Sequence, residues 1–228
     1  MGLLDRVKAQ QLAQTPDGNR NLKPEDIVIW SKGWASALFY VLNIRKGVFN
    51  REDVFNNFPK EPYLALIEPP TPGVYVPLGS VGHGLSVAAG MAYAKKLSGE
   101  KGTVYCILSD GELNEGSVWE AVMLAKHLEI DNLVAIEDKN SWQAMGKCED
   151  VIYVDEVKAF QGFGWHAHGI DGHNHEQLEV AFTTENPTGK PLVFVCNTVK
   201  GKGVSFMENP PEHQTMGDTG HLYHYAHL

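Results

Sequence analysis

A chain of 228 residues with 43% hydrophobic content carries enough apolar side chain for one substantial core, and it reads as a single α/β domain over residues 1–228. A net charge of −9, spread along the sequence with no acidic tail, argues against nucleic acid as a partner and bears more on solubility than on ligand choice. No run of about 18 apolar residues is present, and the opening MGLLDRVKAQQLAQ is too polar for an export signal. The expectation is therefore no membrane span, no secretion and a cytoplasmic location.

In chain order, residues 1–26 form a lead-in, with a short amphipathic helix expected over 3–14 and a polar, turn-rich stretch after it. A brief β-like run then passes into a helix, with Trp34, Leu38, Val41, Leu42 and Arg45 near one face and Gly47 as its stop. The glycine cluster PLGSVGHGLSVAAGMAYAKKL predicts a tight loop at Gly79, Gly82 and Gly84, followed by a helix over 85–97 rich in small residues. Residues 104–108 are apolar and β-branched, the signature of a buried strand. The pattern breaks at Ser109, Asp110 and Gly111, and Val118, Ala121, Val122, Ala125 and Leu128 then recur at helical spacing. A second apolar strand, 133–136, ends in Asp138, Lys139 and Asn140. A helix over 155–161, a strand-like WHAHGI, an Asp171-Gly172-His173-Asn174 turn, a further helix and a strand over 192–199 complete the chain before a tail at 211–228. Strands alternating with helices predict a doubly wound, mainly parallel sheet with helices on both faces.

Residues 104–146 carry the chemistry. Strand, turn, helix and strand make a βαβ unit whose strands run parallel, so Asp110 and Asn140 leave the same carboxyl edge. Open α/β sheets bind ligands at that edge. Asp110 offers a hard anionic oxygen and Asn140 a neutral amide oxygen, a donor set suited to Mg²⁺ with its remaining positions left to phosphate and water. Gly111 lets the backbone approach a phosphate, and the following helix adds amide donors and a positive dipole end. Taken alone, Asp110-Gly111 reads more readily as a plain turn.

The run SDGELNEGSVWEA followed by Asn140 resembles the thiamine diphosphate motif of the transketolase family, which opens Gly-Asp-Gly and closes on an Asn. The resemblance implies that Asp110 and Asn140 are metal ligands, that Trp142 lends its main-chain oxygen, and that Gly111 and Glu112 line the cofactor. Ser109 replaces the family's first glycine. Ser31, Lys32, Gly33 and Ala35 match the family's Ser-Lys-Gly-His-Ala, but Trp34 stands where the family has a histidine. The family's earlier Asn-Ser-Gly-His-Pro-Gly has no counterpart in residues 1–30, and EPPTPGVYV replaces a second histidine segment. The glycine cluster resembles the family's cofactor loop, which implies cofactor contacts for Gly79 and Val81 and a catalytic role for His83. LVFVCNTVKGKGVSFMEN is again family-like, and His213 is the candidate for a histidine that closes over the diphosphate.

Cys106, Cys148 and Cys196 have no metal-like spacing and read as free thiols, two of them buried in strand-like runs. The pairs His166/His168 and His173/His175 are read as loop and sheet-edge residues in preference to a metal site.

The resemblance implies the diphosphate-binding half of a thiamine enzyme that uses thiamine diphosphate with Mg²⁺, for which Ca²⁺ or Mn²⁺ substitute. The expected reaction is transfer of a two-carbon ketol unit from a ketose phosphate to an aldehyde. The expected partner is a separately encoded pyrimidine-binding subunit, in a heterotetramer. Loss of the family histidines leaves two alternatives open: a thiamine-dependent 2-oxoacid decarboxylase or acyl-transfer subunit, and a degenerate subunit kept for assembly.

Overall fold

The computed structural model describes residues 25–77, 79–143, 146–183, 186, 189–205 and 208. The expected helix over 3–14, the tail and His213 lie outside these residues.

The chain opens with β1 (Ile27–Trp30), a 3-10 turn at Gly33–Ala35, α1 (Ser36–Arg45) and α2 (Arg51–Asn57). Gly47, at φ +73, carries the chain out of α1 as expected, and its N–H returns to the carbonyl of Ile44 at 2.9 Å. The short helix α2 is absent from the sequence expectation; Asn50 caps it by accepting from the N–H of Asp53 at 3.2 Å. Next come α3 (Gly84–Ser98), β2 (Val104–Ser109), a 3-10 turn at Gly111–Asn114, α4 (Gly116–His127) and β3 (Leu133–Lys139). A two-stranded hairpin of β4 (Trp142–Gln143) and β5 (Gly146–Lys147) leads into α5 (Cys148–Val151). The chain continues through α6 (Glu156–Gly162), β6 (His166–Asp171), α7 (His175–Thr183) and β7 (Leu192–Asn197).

The main sheet has the order β1-β2-β3-β7-β6 and every neighbouring pair is parallel, as the alternation of strands and helices predicts. Strand alternation divides the core in two. Ile29, Val104, Cys106, Leu108, Leu133, Ala135, Val193 and Val195 face α3, α4 and α6, where they meet Leu85, Ala88, Val118, Val122 and Phe160. The intervening residues Val28, Trp30, Tyr105, Ile107, Val134, Ile136 and Phe194 face α1 and α7, where they meet Phe39, Tyr40 and Leu178. Helices therefore cover both faces, and all five parallel strands release their chains on one edge.

Two strand ends differ from the sequence expectation. The strand expected over 133–136 runs on to Lys139, because β2 and β7 flank it and keep the ladder going past its apolar part, Asp138 facing Ser109 and Cys196. Conversely, β7 stops at Asn197: the N–H of Thr198 bonds the carbonyl of Lys139 at 2.8 Å, and the chain then turns, the N–H of Lys202 returning to Val199.

Candidate functional site

The carboxyl ends of β1, β2, β3 and β7 bring together Ser31, Lys32, Asp110, Glu112, Asp138, Asn140, Thr198 and Lys200. All but Thr198 and Asp138 are among the buried polar residues of the chain. A cavity of about 670 Å³ opens beside them, with Asp110, Asn140, Trp142, Cys148, Thr198 and Val199 on its wall.

Asp110 follows β2 and is 4% exposed. Its Oδ1 accepts the N–H of Gly111 at 3.0 Å, whereas Oδ2 is buried and accepts no hydrogen bond. Burial raises its pKa against the opposing pull of the Lys32 charge. Asn140, 7% exposed, accepts the N–H of Trp142 at 3.0 Å through Oδ1, which folds the chain back so that Trp142 borders the same cavity. Ser141 between them sits at φ +66. The donors on offer are a carboxylate oxygen with nothing bound to it, an amide oxygen with a spare lone pair and the backbone of Trp142. That all-oxygen set fits a small, hard divalent cation.

Glu112 is 1% exposed and does not line the cavity. Ser31 Oγ donates to its Oε1, the N–H of Gly82 reaches Oε1 at 3.2 Å and the N–H of Ser109 reaches Oε2 at 3.1 Å. Ser31 Oγ in turn accepts the N–H of Gly84 at 3.1 Å. One carboxylate thus ties the end of β1, the end of β2 and the glycine loop together; burial raises its pKa and these hydrogen bonds oppose the rise. The glycine at 84 is required by contact, since a Cβ there would lie 2.2 Å from the Ser31 side chain. A Cβ on Gly111 would likewise lie 2.7 Å from Gln143 Cβ, so close approach of the β4–β5 hairpin, in addition to any phosphate, demands glycine.

Behind the cavity runs a charged pair. Lys32 Nζ, on a residue 4% exposed, meets Asp138 Oδ2 at 2.5 Å, and Thr198 Oγ1 donates to Asp138 Oδ1 at 2.5 Å. Burial alone would raise the Asp138 pKa; the Lys32 charge and hydrogen bond together with Thr198 outweigh it and hold the carboxyl low. Lys200, 5% exposed, is drawn down to about 8 by burial and by the nearby Lys32 charge. Burial, followed by the Asp110 carboxylate, pushes the half-buried Cys148 thiol up to about 12.

Of the sequence candidates, Asp110, Asn140 and Trp142 converge on one cavity. Gly79, Val81 and His83 do not border it: Val81 is 41% exposed, and His83 sits exposed at the start of α3 with no side-chain cap bond. Sequence reasoning gives no site role to Lys32, Asp138, Thr198 and Lys200, although Lys32, Thr198 and Lys200 stand in family-like runs and Asp138 only two residues ahead of Asn140. Cys106 and Cys196 are buried and Cys148 is half-buried, all three as free thiols. His166 and His168 share a face of β6 with ring centroids 4.3 Å apart, and among the described residues no group of three or more His, Cys, Asp or Glu is arranged to hold a metal.

The fold and its edge define an α/β protein that presents buried polar groups at the carboxyl ends of parallel strands. The chain belongs to the transketolase family: the family model for the transketolase, thiamine diphosphate binding domain, matches residues 6–218. The apulose-4-phosphate transketolase of Actinobacillus succinogenes has a subunit that is 37% identical over 201 residues, which is 84% of this chain and 71% of that protein. The 6-deoxy-6-sulfo-D-fructose transketolase subunit SqwG of a Clostridium species is 35% identical, covering 80% of this chain and 68% of its own length. Transketolase of Campylobacter jejuni superposes with a TM-score of 0.72 at 24% identity, sharing the fold over 88% of this chain and 37% of the larger protein. The chain thus spans about seven-tenths of the two subunits and little more than a third of the whole enzyme. Among the described residues no helix is long and apolar enough to cross a membrane.

Proposed function

We propose that this chain is the diphosphate-binding subunit of a two-subunit, thiamine diphosphate- and Mg²⁺-dependent transketolase-like enzyme that moves a two-carbon ketol unit from a ketose phosphate to an aldehyde. The observation that carries the reading is the buried, unpartnered Oδ2 of Asp110 beside Asn140 on the cavity wall. A polar atom left bare in this way costs about 1–3 kcal/mol, and a cation there removes the cost. Asp110 and Asn140 hold the metal with the Trp142 carbonyl, while Gly111 lies alongside the diphosphate. Thiamine diphosphate supplies the carbanion chemistry when bound. The protein supplies position and charge: Lys32 keeps Asp138 ionised, and Thr198 and Val199 form part of the cavity wall. His83 and His213 are the candidates for holding a developing oxyanion or moving a proton. The matched relatives are named as subunits, which supports a separate partner subunit; in this reading it is separately encoded, binds the pyrimidine and completes a heterotetramer.

Calorimetric titration of thiamine diphosphate with Mg²⁺ into the chain, alone and with the product of the adjacent gene, tests this. Tight binding and ketol transfer in the mixture are expected, and both fall at least tenfold for Asp110→Asn. Undiminished Mg²⁺-dependent binding by that variant would remove Asp110 from the metal site.

A further inference from the structure

The segment after β7 forms part of the cavity wall through Thr198 and Val199 and leads into the buried Lys200. Its attachment to the body of the sheet is short. The N–H of Thr198 is taken by Lys139 at 2.8 Å and its hydroxyl by Asp138 at 2.5 Å. At the next residue the backbone donor leaves the sheet: the N–H of Val199 points to Nε2 of His173 at 2.8 Å.

An amide N–H can only donate, so His173 Nε2 must accept. The ring is therefore neutral there and carries its proton on Nδ1. The turn bearing His173 is itself locked to the same strand end. The N–H of Gly172 bonds the carbonyl of Asn197 at 2.8 Å, and Asn197 Nδ2 returns to the carbonyl of Ile170 at 3.1 Å. A Cβ on Gly172 would lie 2.5 Å from Thr198 Cγ2, so the turn is pressed against the segment it holds. Asp171 Oδ1 accepts the N–H of His173 at 2.8 Å, and Asn174 Oδ1 accepts from Glu176 and Gln177 at 3.0 and 3.1 Å, which fixes the turn to the first residues of α7.

We infer that His173 is a positioning residue for the candidate site: its neutral imidazole, as the Nδ1–H tautomer, latches the Thr198–Val199 wall of the cavity by accepting the Val199 N–H. As a statement about the wall this stands apart from the cofactor assignment; its consequence for diphosphate affinity rests on the function proposed above.

The test uses the full-length chain with His173→Ala and His173→Gln. Glutamine keeps an acceptor near the place of Nε2 but cannot be protonated. Long-range ¹H–¹⁵N spectra of the wild type are expected to show His173 protonated on Nδ1 and bare on Nε2. Amide exchange at Val199 is expected to lose protection by about two- to tenfold in His173→Ala, the worth of one hydrogen bond, and to recover most of it in His173→Gln. Calorimetry with thiamine diphosphate and Mg²⁺, in the presence of the partner, is expected to follow the same order. A proton on Nε2 in the wild type, or equal Val199 protection in all three proteins, would overturn the latch. Intact protection with no binding of the diphosphate by the wild type would instead overturn the proposed function and leave the latch standing.

Discussion

Glu137 lies in the middle of β3, 0% exposed, in register with Leu108 on one side and Val195 on the other, and neither of its carboxyl oxygens has a hydrogen-bond partner. Burial, followed by the neighbouring carboxylate of Glu156, raises its pKa well above the ordinary carboxylate range. An acid whose folded pKa exceeds its unfolded value keeps a proton that the unfolded chain gives up, so the stability of the fold falls as pH rises above about 4.3. The slope is about 1.4 kcal/mol per pH unit for as long as the folded chain keeps the proton. Even the neutral carboxyl costs about 1–3 kcal/mol for its missing hydrogen bonds. Glu137→Val replaces it with a side chain of strand-forming type that matches its neighbour Val195. The metal-free variant is expected to be the more stable at pH 5, and its advantage over the wild type should widen at pH 6 and pH 7. Urea unfolding at the three pH values measures this directly. Parallel curves with no widening, or a variant less stable at every pH, would refute the account of Glu137 as a neutral, unpartnered acid.

Other consequences follow from the same polar edge. Lys32→Met strands Asp138 in the interior and is expected to cost about 3–5 kcal/mol at neutral pH. Because Asp138 is held low in the wild type, its stabilising share is present above its unfolded value and lost as pH falls through the folded one; acid titration of stability in the variant should lack that loss. Gly84→Ala, driven into Ser31, is expected to lower stability by about 1–3 kcal/mol, whereas Gly90→Ala, which meets nothing within 4 Å, should be neutral or slightly stabilising, as thermal melts of the two will show. The Cys148 thiol, held up at about 12, should react with iodoacetamide at pH 8 far more slowly than a free cysteine peptide, despite its partial exposure.

The parallel sheet was legible because its strands announce themselves twice, as β-branched apolar runs and as alternation with helical spacing. The placement of Asp110 and Asn140 on one edge was legible for the same reason: each follows such a run, and parallel strands send their ends to one edge. Glu112 was legible as a member of the motif, but its use was not. Its partners Ser31, Gly82 and Ser109 come from separate segments of the chain, and nothing local in the sequence says that β1 will dock beside β2. Lys32 and Asp138 were hidden in the same way, since a buried ion pair between distant residues has no periodicity to betray it. The extra length of β3 was missed because Glu137, Asp138 and Lys139 look like loop residues until their neighbours are known.

The Glu112 clasp also bears on the order in which the molecule assembles. The βαβ unit from β2 to β3 is local and closes a modest loop, so the Asp110–Asn140 pair takes shape early. Glu112 accepts from the neighbouring Ser109 N–H locally, but its bond to Ser31 waits until β1, distant along the chain, adds itself to the far side of β2. Closing that longer loop is slow. The short loop thus sets Asp110 and Asn140 side by side, and the long one brings Ser31 in beneath the glycine loop.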